Sequence, residues 1–439
     1  MGMNEGSTTG ATRGRLLGNR PFVLYSASFG ISSFAFWGFF LAVVAEAAYR
    51  YGAQSFQLAA MLAVWSAVFL LLVAPAGMIT DRWSPKWMIL LAQAFSIAAV
   101  FPALWVHSMW GLYEASLIDA VGAAMAIPAR GSLTALLVPE EDLVRANGAL
   151  NTVSMVAVIV GPGAAGLLAR HGSPAAAYWV IVAILVLGAV PLLFVPDRRP
   201  RTRQWASPSR ELAEGFRVSW REPELRSLLF LACAAWVTLT VFVALEPLFV
   251  KQVLGRGEDG LGLFWSTNGV GSFIGALALI RSTRASGHEV GLIGVALILS
   301  GGGFLAFTAT SLTWVAVAGN VVMGVGFAWF LSLSQALIQR VAPEDLRGRV
   351  TGVMGMLQES SSVICSVAIA LLGGLVAVRP SLVVAAGLLT ASGFYGLRAE
   401  RIVRRLPRPA VTPPHPLPFP TSPAGGPLAP PLPGSGLDA

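Results

Sequence analysis

The stretch Gly77-Met-Ile-Thr-Asp81-Arg82-Trp-Ser-Pro-Lys86 decides how the rest of the chain reads. It lies between two long apolar runs, yet it is too short and too charged to cross a bilayer itself. A segment of that kind forms a tight hairpin at a membrane surface. The composition around it agrees: of 439 residues, 55% are hydrophobic and only 12% are charged, with a mean hydropathy of +0.70. Soluble domains carry about 25% charged residues, so most of this chain belongs in lipid.

The net charge of +8 does not mark a nucleic-acid surface, because the basic residues interrupt apolar runs instead of clustering on one polar face. Cys233 and Cys365 each sit inside an apolar run, and His107, His171, His288 and His415 are scattered between runs. No disulfide framework, metal-ligand spacing or phosphate-binding loop follows from these residues. No metal, no cofactor and no enzymatic activity are expected. Arg13 to Arg20 followed by Pro21 to Val44 imitates a secretory leader. That apolar run is longer than the roughly 7–15 residues of a leader core, so it is read as a retained first helix.

A bilayer core of about 30 Å takes about 20 helical residues. By that ruler the chain holds twelve segments, near 21–46, 55–79, 86–106, 110–137, 146–170, 174–195, 227–250, 260–282, 288–309, 312–339, 349–377 and 379–397. An even number puts both termini on one side. Sorted by alternate loops, 25 of the 30 Lys and Arg fall in the set that contains the termini and the Gly77–Lys86 hairpin. The positive-inside rule assigns that set to the cytoplasm. The chain is therefore expected as an all-α, multi-pass protein of the plasma (inner) membrane, with both ends cytoplasmic.

The domain plan follows. Residues 1–20 form a cytoplasmic tail, 21–195 a six-helix bundle, 196–226 a cytoplasmic linker, 227–398 a second six-helix bundle, and 399–439 a Pro-rich tail expected to be disordered. Within the linker, Leu212, Phe216, Val218 and Trp220 lie among Arg and Glu, as in an amphipathic helix at the inner leaflet. The halves echo each other. Pro139-Glu140-Glu141 with Arg145 and Gly148 recurs 204 residues later as Pro343-Glu344-Asp345 with Arg349 and Gly352, between the fourth and fifth segment of each half. Two fused, pseudo-symmetric bundles predict such a repeat.

Ionisable groups within apolar segments are the candidates for chemistry, since burying one in hydrocarbon costs several kcal/mol unless it faces protein or water. Asp119 lies nine residues into the fourth segment, about 13 Å deep at about 1.5 Å per residue. Glu359 lies at a comparable depth in the eleventh. Asp119 shares a helical face with Gly122, Ala123 and Ala126, and Glu359 shares one with Gly352, Gly355, Ser362 and Ser366. Either acid could take up a proton or meet a cationic substrate; the other reading is a structural acid bonded to a neighbouring helix. Glu46, Glu246 and Glu114 fall near the far ends of their helices, close to water, where a structural role is expected. Asn151, Asn268, Asn320, Gln335 and Gln358 are neutral candidates for lining a substrate path.

These residues together resemble the major facilitator superfamily, from about residue 20 to about residue 400. Gly77, Asp81, Arg82 and Lys86 resemble its gating motif between helices 2 and 3. Gly161-Pro162 with Gly166 resembles the motif that drug antiporters of the family carry in helix 5. Pro128-Ala-Arg130, Leu143-Val-Arg-Ala-Asn147, Glu211-Leu-Ala-Glu-Gly215, Arg221-Glu-Pro-Glu-Leu-Arg226 and Asp345-Leu-Arg-Gly-Arg349 are similar to the exporter branch of macrolide-efflux and enterobactin-exporter-like proteins. The resemblance implies twelve helices in two six-helix bundles, alternating access, and export of a small amphipathic molecule by proton antiport. It implies a small-molecule substrate, protons and a lipid bilayer as partners, no nucleic acid, and a monomer. An importer of the same fold, or a membrane sensor or scaffold, is the alternative. The chain departs from the family's pattern at Gly30-Ile-Ser-Ser-Phe34, where an acid is usual, and at Asp119, where antiporters often carry arginine. It departs again near Arg281 to Arg284, where the second copy of the gating motif lacks its Asp. Asp81 is expected to meet the positive N-terminal end of the eleventh helix near Arg349.

Overall fold

The computed structural model describes residues 16, 18–80, 82–171, 174–199, 208–281, 288–344, 346–372 and 377–405. Asp81, Asp345, Arg284 and the tail from residue 406 onward, all named above, lie outside the described residues. In lipid a backbone N–H or C=O has no water to bond, so every spanning segment must satisfy itself as helix. The described residues form thirteen α-helices.

The first half holds α1 (Arg20–Ala45, continued by a π-helical turn, Glu46–Arg50), α2 (Ser55–Thr80), α3 (Pro85–Trp105), α4 (Met109–Leu137), α5 (Leu143–His171) and α6 (Pro174–Leu193). The short α7 (Pro208–Arg221) follows, and unlike the others it is strongly amphipathic. The second half holds α8 (Pro223–Gln252), α9 (Glu258–Arg281), α10 (Glu289–Ala309), α11 (Thr313–Val341), α12 (Arg347–Leu372) and α13 (Val378–Val403). Among the described residues, eleven helices are long and apolar enough to cross a membrane. The sequence predicts twelve, and α9 is the one outside the set: Gly262, Gly269, Gly271, Gly275 and Asn268 dilute its apolar character.

Proline opens α3 at Pro85 and α8 at Pro223, where the missing N–H costs nothing. Two glycines past helix ends carry positive φ, Gly52 at 62° after the π turn and Gly255 at 61° after α8. That left-handed conformation is nearly free for glycine and costly for other residues. The two positions are equivalent in the two halves, following the first helix of each.

Helices α1, α5 and α6 pack together, and α2 and α3 each pack on α4; in the second half α10 packs on both α11 and α13, and α8 on α12 and α13. The halves meet through α5 against α9 and through α2 against α12. Those two contacts exchange under the repeat, since α2 and α9 are the second helices of their halves and α5 and α12 the fifth. Lipid offers no hydrophobic drive for helix association, so small residues that let backbones approach do the work. A Cβ placed on Gly319 of α11 would lie 2.6 Å from the Gly303 carbonyl oxygen of α10, and one on Gly303 would lie 2.5 Å from the Gly319 carbonyl oxygen.

Large apolar side chains cover the outside. Leu71, Ile364, Leu371 and Val384 are each at least 70% exposed, which suits hydrocarbon and not water. Exposed tryptophans mark both ends: Trp83, Trp87 and Trp220 beside the basic loops, and Trp105, Trp110, Trp179 and Trp314 at the opposite end. Aromatic belts of this kind sit at the two lipid–water interfaces.

The glycine contact makes a direct prediction. Gly319→Val forces α10 and α11 apart, at an overpacking cost of about 1–3 kcal/mol. It should lower the melting temperature of the detergent-purified protein. Gly302→Val is the control, because an added Cβ there meets nothing within 4 Å. Equal melting temperatures for the two variants would refute the close-packing account.

Candidate functional site

A cavity of about 340 Å³ lies between α1 and α5 on one side and α8 to α11 with α13 on the other. Helical spacing builds it. On α5, Asn151, Ser154, Met155 and Val158 recur at i, i+3, i+4 and i+7; on α8, Ala235, Thr238, Leu239, Phe242, Val243 and Glu246 continue the same rhythm over three turns. Trp37, Trp265, Phe304 and Phe327 add aromatic walls, and Asn268, Ser272 and Ser300 add polar points. Drug-sized ligands occupy pockets of roughly 300–1,000 Å³ with this apolar lining and few polar groups.

The two ends of the cavity differ. At the end away from the basic loops the halves are in contact. A Cβ on Gly262 of α9 would lie 2.8 Å from the Pro162 carbonyl oxygen and 3.2 Å from the Gly166 Cα of α5. Ser266 donates to the Ile159 carbonyl at 2.7 Å, and the Trp37 and Trp265 rings stand edge to face at 6.0 Å. Lys251 of α8 reaches across to donate to the Ala48 carbonyl at 2.6 Å, with its ammonium 5.6 Å from the centre of the Tyr49 ring. At the basic end Gly148, Gly348 and Gly355 have nothing within 4 Å of an added Cβ, and Asn147 and Asn151 are exposed. Among the described residues, the cavity therefore opens toward the basic end and is closed at the other.

The residues singled out from sequence fall into separate places. Asn151 and Asn268 line the cavity. Asn320 is fully buried behind it, accepting from Asn268 Nδ2 at 3.3 Å and donating to the Phe264 carbonyl, so it ties α9 to α11. Asp119 is buried elsewhere, within the first half. Its carboxylate accepts from the Trp65 indole N–H at 3.1 Å and the Ser96 hydroxyl at 3.1 Å. It borders a smaller space of about 30 Å³ that shares Val243 with the large cavity, enough for a water at roughly 10–15 Å³ but far too small for a cargo molecule. Glu359 is half-buried on α12, and Gln358 donates to it at 3.3 Å.

Of the gating motif, Gly77 is half-buried, with Pro128 as the nearest atom to an added Cβ at 3.9 Å, and Arg82 is exposed. Lys86 is buried and donates to the carbonyls of Leu193 and Val195, each at 2.7 Å. It therefore caps the end of α6. Arg349 pairs with Glu214 of α7, and a Cβ on Gly215 would lie 2.6 Å from the Arg349 carbonyl oxygen. The linker helix is thus seated on the start of α12. Gly161 packs on α1, with an added Cβ 2.9 Å from the Phe34 carbonyl oxygen, while Pro162 and Gly166 face α9. The antiporter-like motif is the junction of α1, α5 and α9.

One expectation needs correcting. Glu246 reads from sequence as an acid near a helix end, close to water, yet it is fully buried and lines the large cavity. The reason is the closed end: α1, with its π turn, and α9 cover it. Depth counted along one helix cannot see neighbours from another part of the chain. The one available sequence signal is that Glu246 continues the Thr238–Phe242 face of α8. Glu46, by contrast, is buried with partners, accepting from Tyr178 at 2.6 Å and Arg50 at 2.8 Å. Among the described residues no cluster of three or more His, Cys, Asp or Glu could hold a metal.

The fold and the cavity define a membrane transporter, and the family model of the Major Facilitator Superfamily matches residues 25–366. The chain belongs to that family. It is similar to the MFS-type transporter YfiS of Bacillus subtilis (strain 168), at 22% identity over 86% of this chain and 92% of the relative. It is similar to macrolide efflux protein A of Enterococcus faecalis, at 25% identity over 64% of this chain and 90% of the relative. Multidrug efflux pump Tap of Mycolicibacterium fortuitum is 26% identical over 61% of this chain and 68% of the pump. In three dimensions the chain resembles the nucleoside transporter NupG, with a TM-score of 0.69 at 13% identity over 86% of this chain and 98% of that one. A bacterial homologue of the iron transporter ferroportin, in an inward-facing state, gives a TM-score of 0.64 at 18% identity over 89% of this chain and 100% of that one.

Lys86 offers a test of this arrangement. Lys86→Met strips the buried Val195 carbonyl and the partly buried Leu193 carbonyl of their donor, at about 1–3 kcal/mol for a buried group left unsatisfied. The variant should melt at lower temperature than the wild type, and an unchanged melting temperature would show that the end of α6 does not depend on Lys86.

Proposed function

We propose that this transporter exports a small amphipathic molecule by proton antiport, using alternating access. The cavity carries the reading: it has cargo size, an apolar and aromatic lining with scattered polar points, and one open end. The open end bears the basic loops, and the positive-inside rule makes it cytoplasmic. In this reading both termini lie in the cytoplasm and the protein resides in the plasma membrane. A carrier that loads from the cytoplasm and shares sequence with macrolide and multidrug efflux proteins fits an exporter.

Residues 21–195 and 227–398 act as the two bundles that rock about the cavity, joined by the linker 196–226. Asp119 and Glu359 are the proton-coupling residues in this reading. Asp119 suits a proton better than a cargo, because the space beside it admits water alone. Its partners Trp65 and Ser96 lie on α2 and α3, so a change in its charge would be felt across three helices of one bundle.

The test uses everted membrane vesicles, in which export appears as uptake driven by an acidic interior. Wild-type protein should accumulate ethidium when the gradient is imposed and release it when the gradient is collapsed. Asp119→Asn should abolish this uptake at normal expression; full gradient-driven uptake in that variant would remove Asp119 from coupling. Glu359→Gln should change the substrate profile or the proton stoichiometry, and wild-type values for both would exclude it.

A further inference from the structure

Buried acids in this protein follow a rule that one of them breaks. Asp119 has two donors, and Glu46 has two. Glu246 is 0% exposed, and neither of its carboxylate oxygens has a hydrogen-bond partner among the described residues. It is also the single ionisable side chain among those lining the 340 Å³ cavity. Taking a carboxylate out of water costs several kcal/mol unless a counter-charge or donors replace the lost hydration. A structural acid would have been given such partners, as the other two were.

The surroundings point the same way. The Trp265 indole N–H lies beside the carboxyl, but meets no acceptor in hydrogen-bonding geometry. Among the described residues the buried Tyr49 hydroxyl on the π turn has no partner either. Tyr49 on the π turn lies within electrostatic reach of Glu246 and also of Glu258 and Asp259 at the start of α9, and Lys251 follows Glu246 on the same helix. The single cation among them, Lys251, already donates to the Ala48 carbonyl at 2.6 Å. Among the described residues no cation neutralises Glu246, so a cation held in the cavity would be the counter-charge of its ionised form.

The walls suit a cation with an apolar body. Trp37, Trp265, Phe242, Phe304 and Phe327 surround the space, and Phe242 meets Phe304 edge to face at 5.1 Å. Aromatic faces attract a cation within about 6 Å, most strongly when both are desolvated. We propose that Glu246 anchors the cargo, and that the cargo class is a lipophilic cation: a drug-sized apolar or aromatic body bearing one protonated or quaternary nitrogen. This assignment rests on the transport reading above, but it concerns binding, so it is tested without transport.

The experiment is equilibrium dialysis of the full-length, detergent-purified protein against two ions of the same shape and opposite charge, tetraphenylphosphonium and tetraphenylborate, corrected against protein-free micelles. Wild-type protein should prefer the cation by about tenfold or more, about 1.4 kcal/mol. Glu246→Gln should lose that preference, and Glu246→Asp should retain it. Equal binding of the two ions by the wild type, or an undiminished cation preference in Glu246→Gln, overturns the assignment. Because the wild-type comparison needs no variant, a misfolded Gln variant leaves the test intact. The two readings also fail separately. Gradient-driven uptake of neutral compounds with no cation preference sinks the Glu246 site and leaves proton-driven export standing. A cation preference without gradient-driven uptake does the reverse.

Discussion

Charge inside an apolar bundle must be answered by something, and the architecture is organised by how each charge is answered. Lys86 is answered by two carbonyls at the end of α6, Arg340 by Glu224 and Glu289, Glu46 by Tyr178 and Arg50, and Asp119 by an indole and a hydroxyl. Each of these contacts joins helices far apart in sequence or holds a helix end. The cost of leaving any such group bare exceeds the worth of an ordinary hydrogen bond, about 0.5–1.5 kcal/mol net. Polar groups in this membrane protein are therefore positional devices. Glu246 stands outside the pattern, and that is why it points to something the folded chain alone does not supply.

The second organising feature is the junction between the halves. The two contacts that hold them, α5 with α9 and α2 with α12, are related by the internal repeat. One rests on Gly166 and Gly262 with the Ser266–Ile159 bond, the other on a 2.8 Å bond between the Ser66 and Ser362 hydroxyls. Such contacts are close but individually weak. At the end away from the basic loops they are accompanied by apolar packing, where Val44, Ala47 and Ala48 belong to one buried cluster with Leu245, Phe249 and Phe264. The linker helix α7 is held to the second half as well, since Glu214 and Gly215 seat it on the start of α12.

The sequence by itself determined the class of molecule. Apolar runs of spanning length, basic loops on alternate sides and a repeat at half the chain length have no other physical solution than a multi-pass helical bundle, because backbone groups in lipid must bond within their own segment. The hairpin at Gly77–Lys86 and the Gly161–Pro162–Gly166 helix were legible for the same reason: local spacing and backbone demands are written residue by residue. The dilution of α9 by glycine was visible too, though its consequence for the count of spanning helices was not.

Only the tertiary structure decided which acid faces the cavity. Asp119 and Glu359 are the deepest acids by counting along their own helices, yet Asp119 lies in a pocket of water size and Glu246 lines the space of cargo size. Lys86 and Arg349, read as parts of one gating device, answer to α6 and to the linker helix among the described residues. The physical reason is common to all of these. Burial, and the partner that compensates it, depend on which helix of the other half lies against a given face. That is set by small-residue contacts between segments more than 100 residues apart, such as Ser66 with Ser362 and Ser266 with Ile159, and no periodicity within a single helix encodes it.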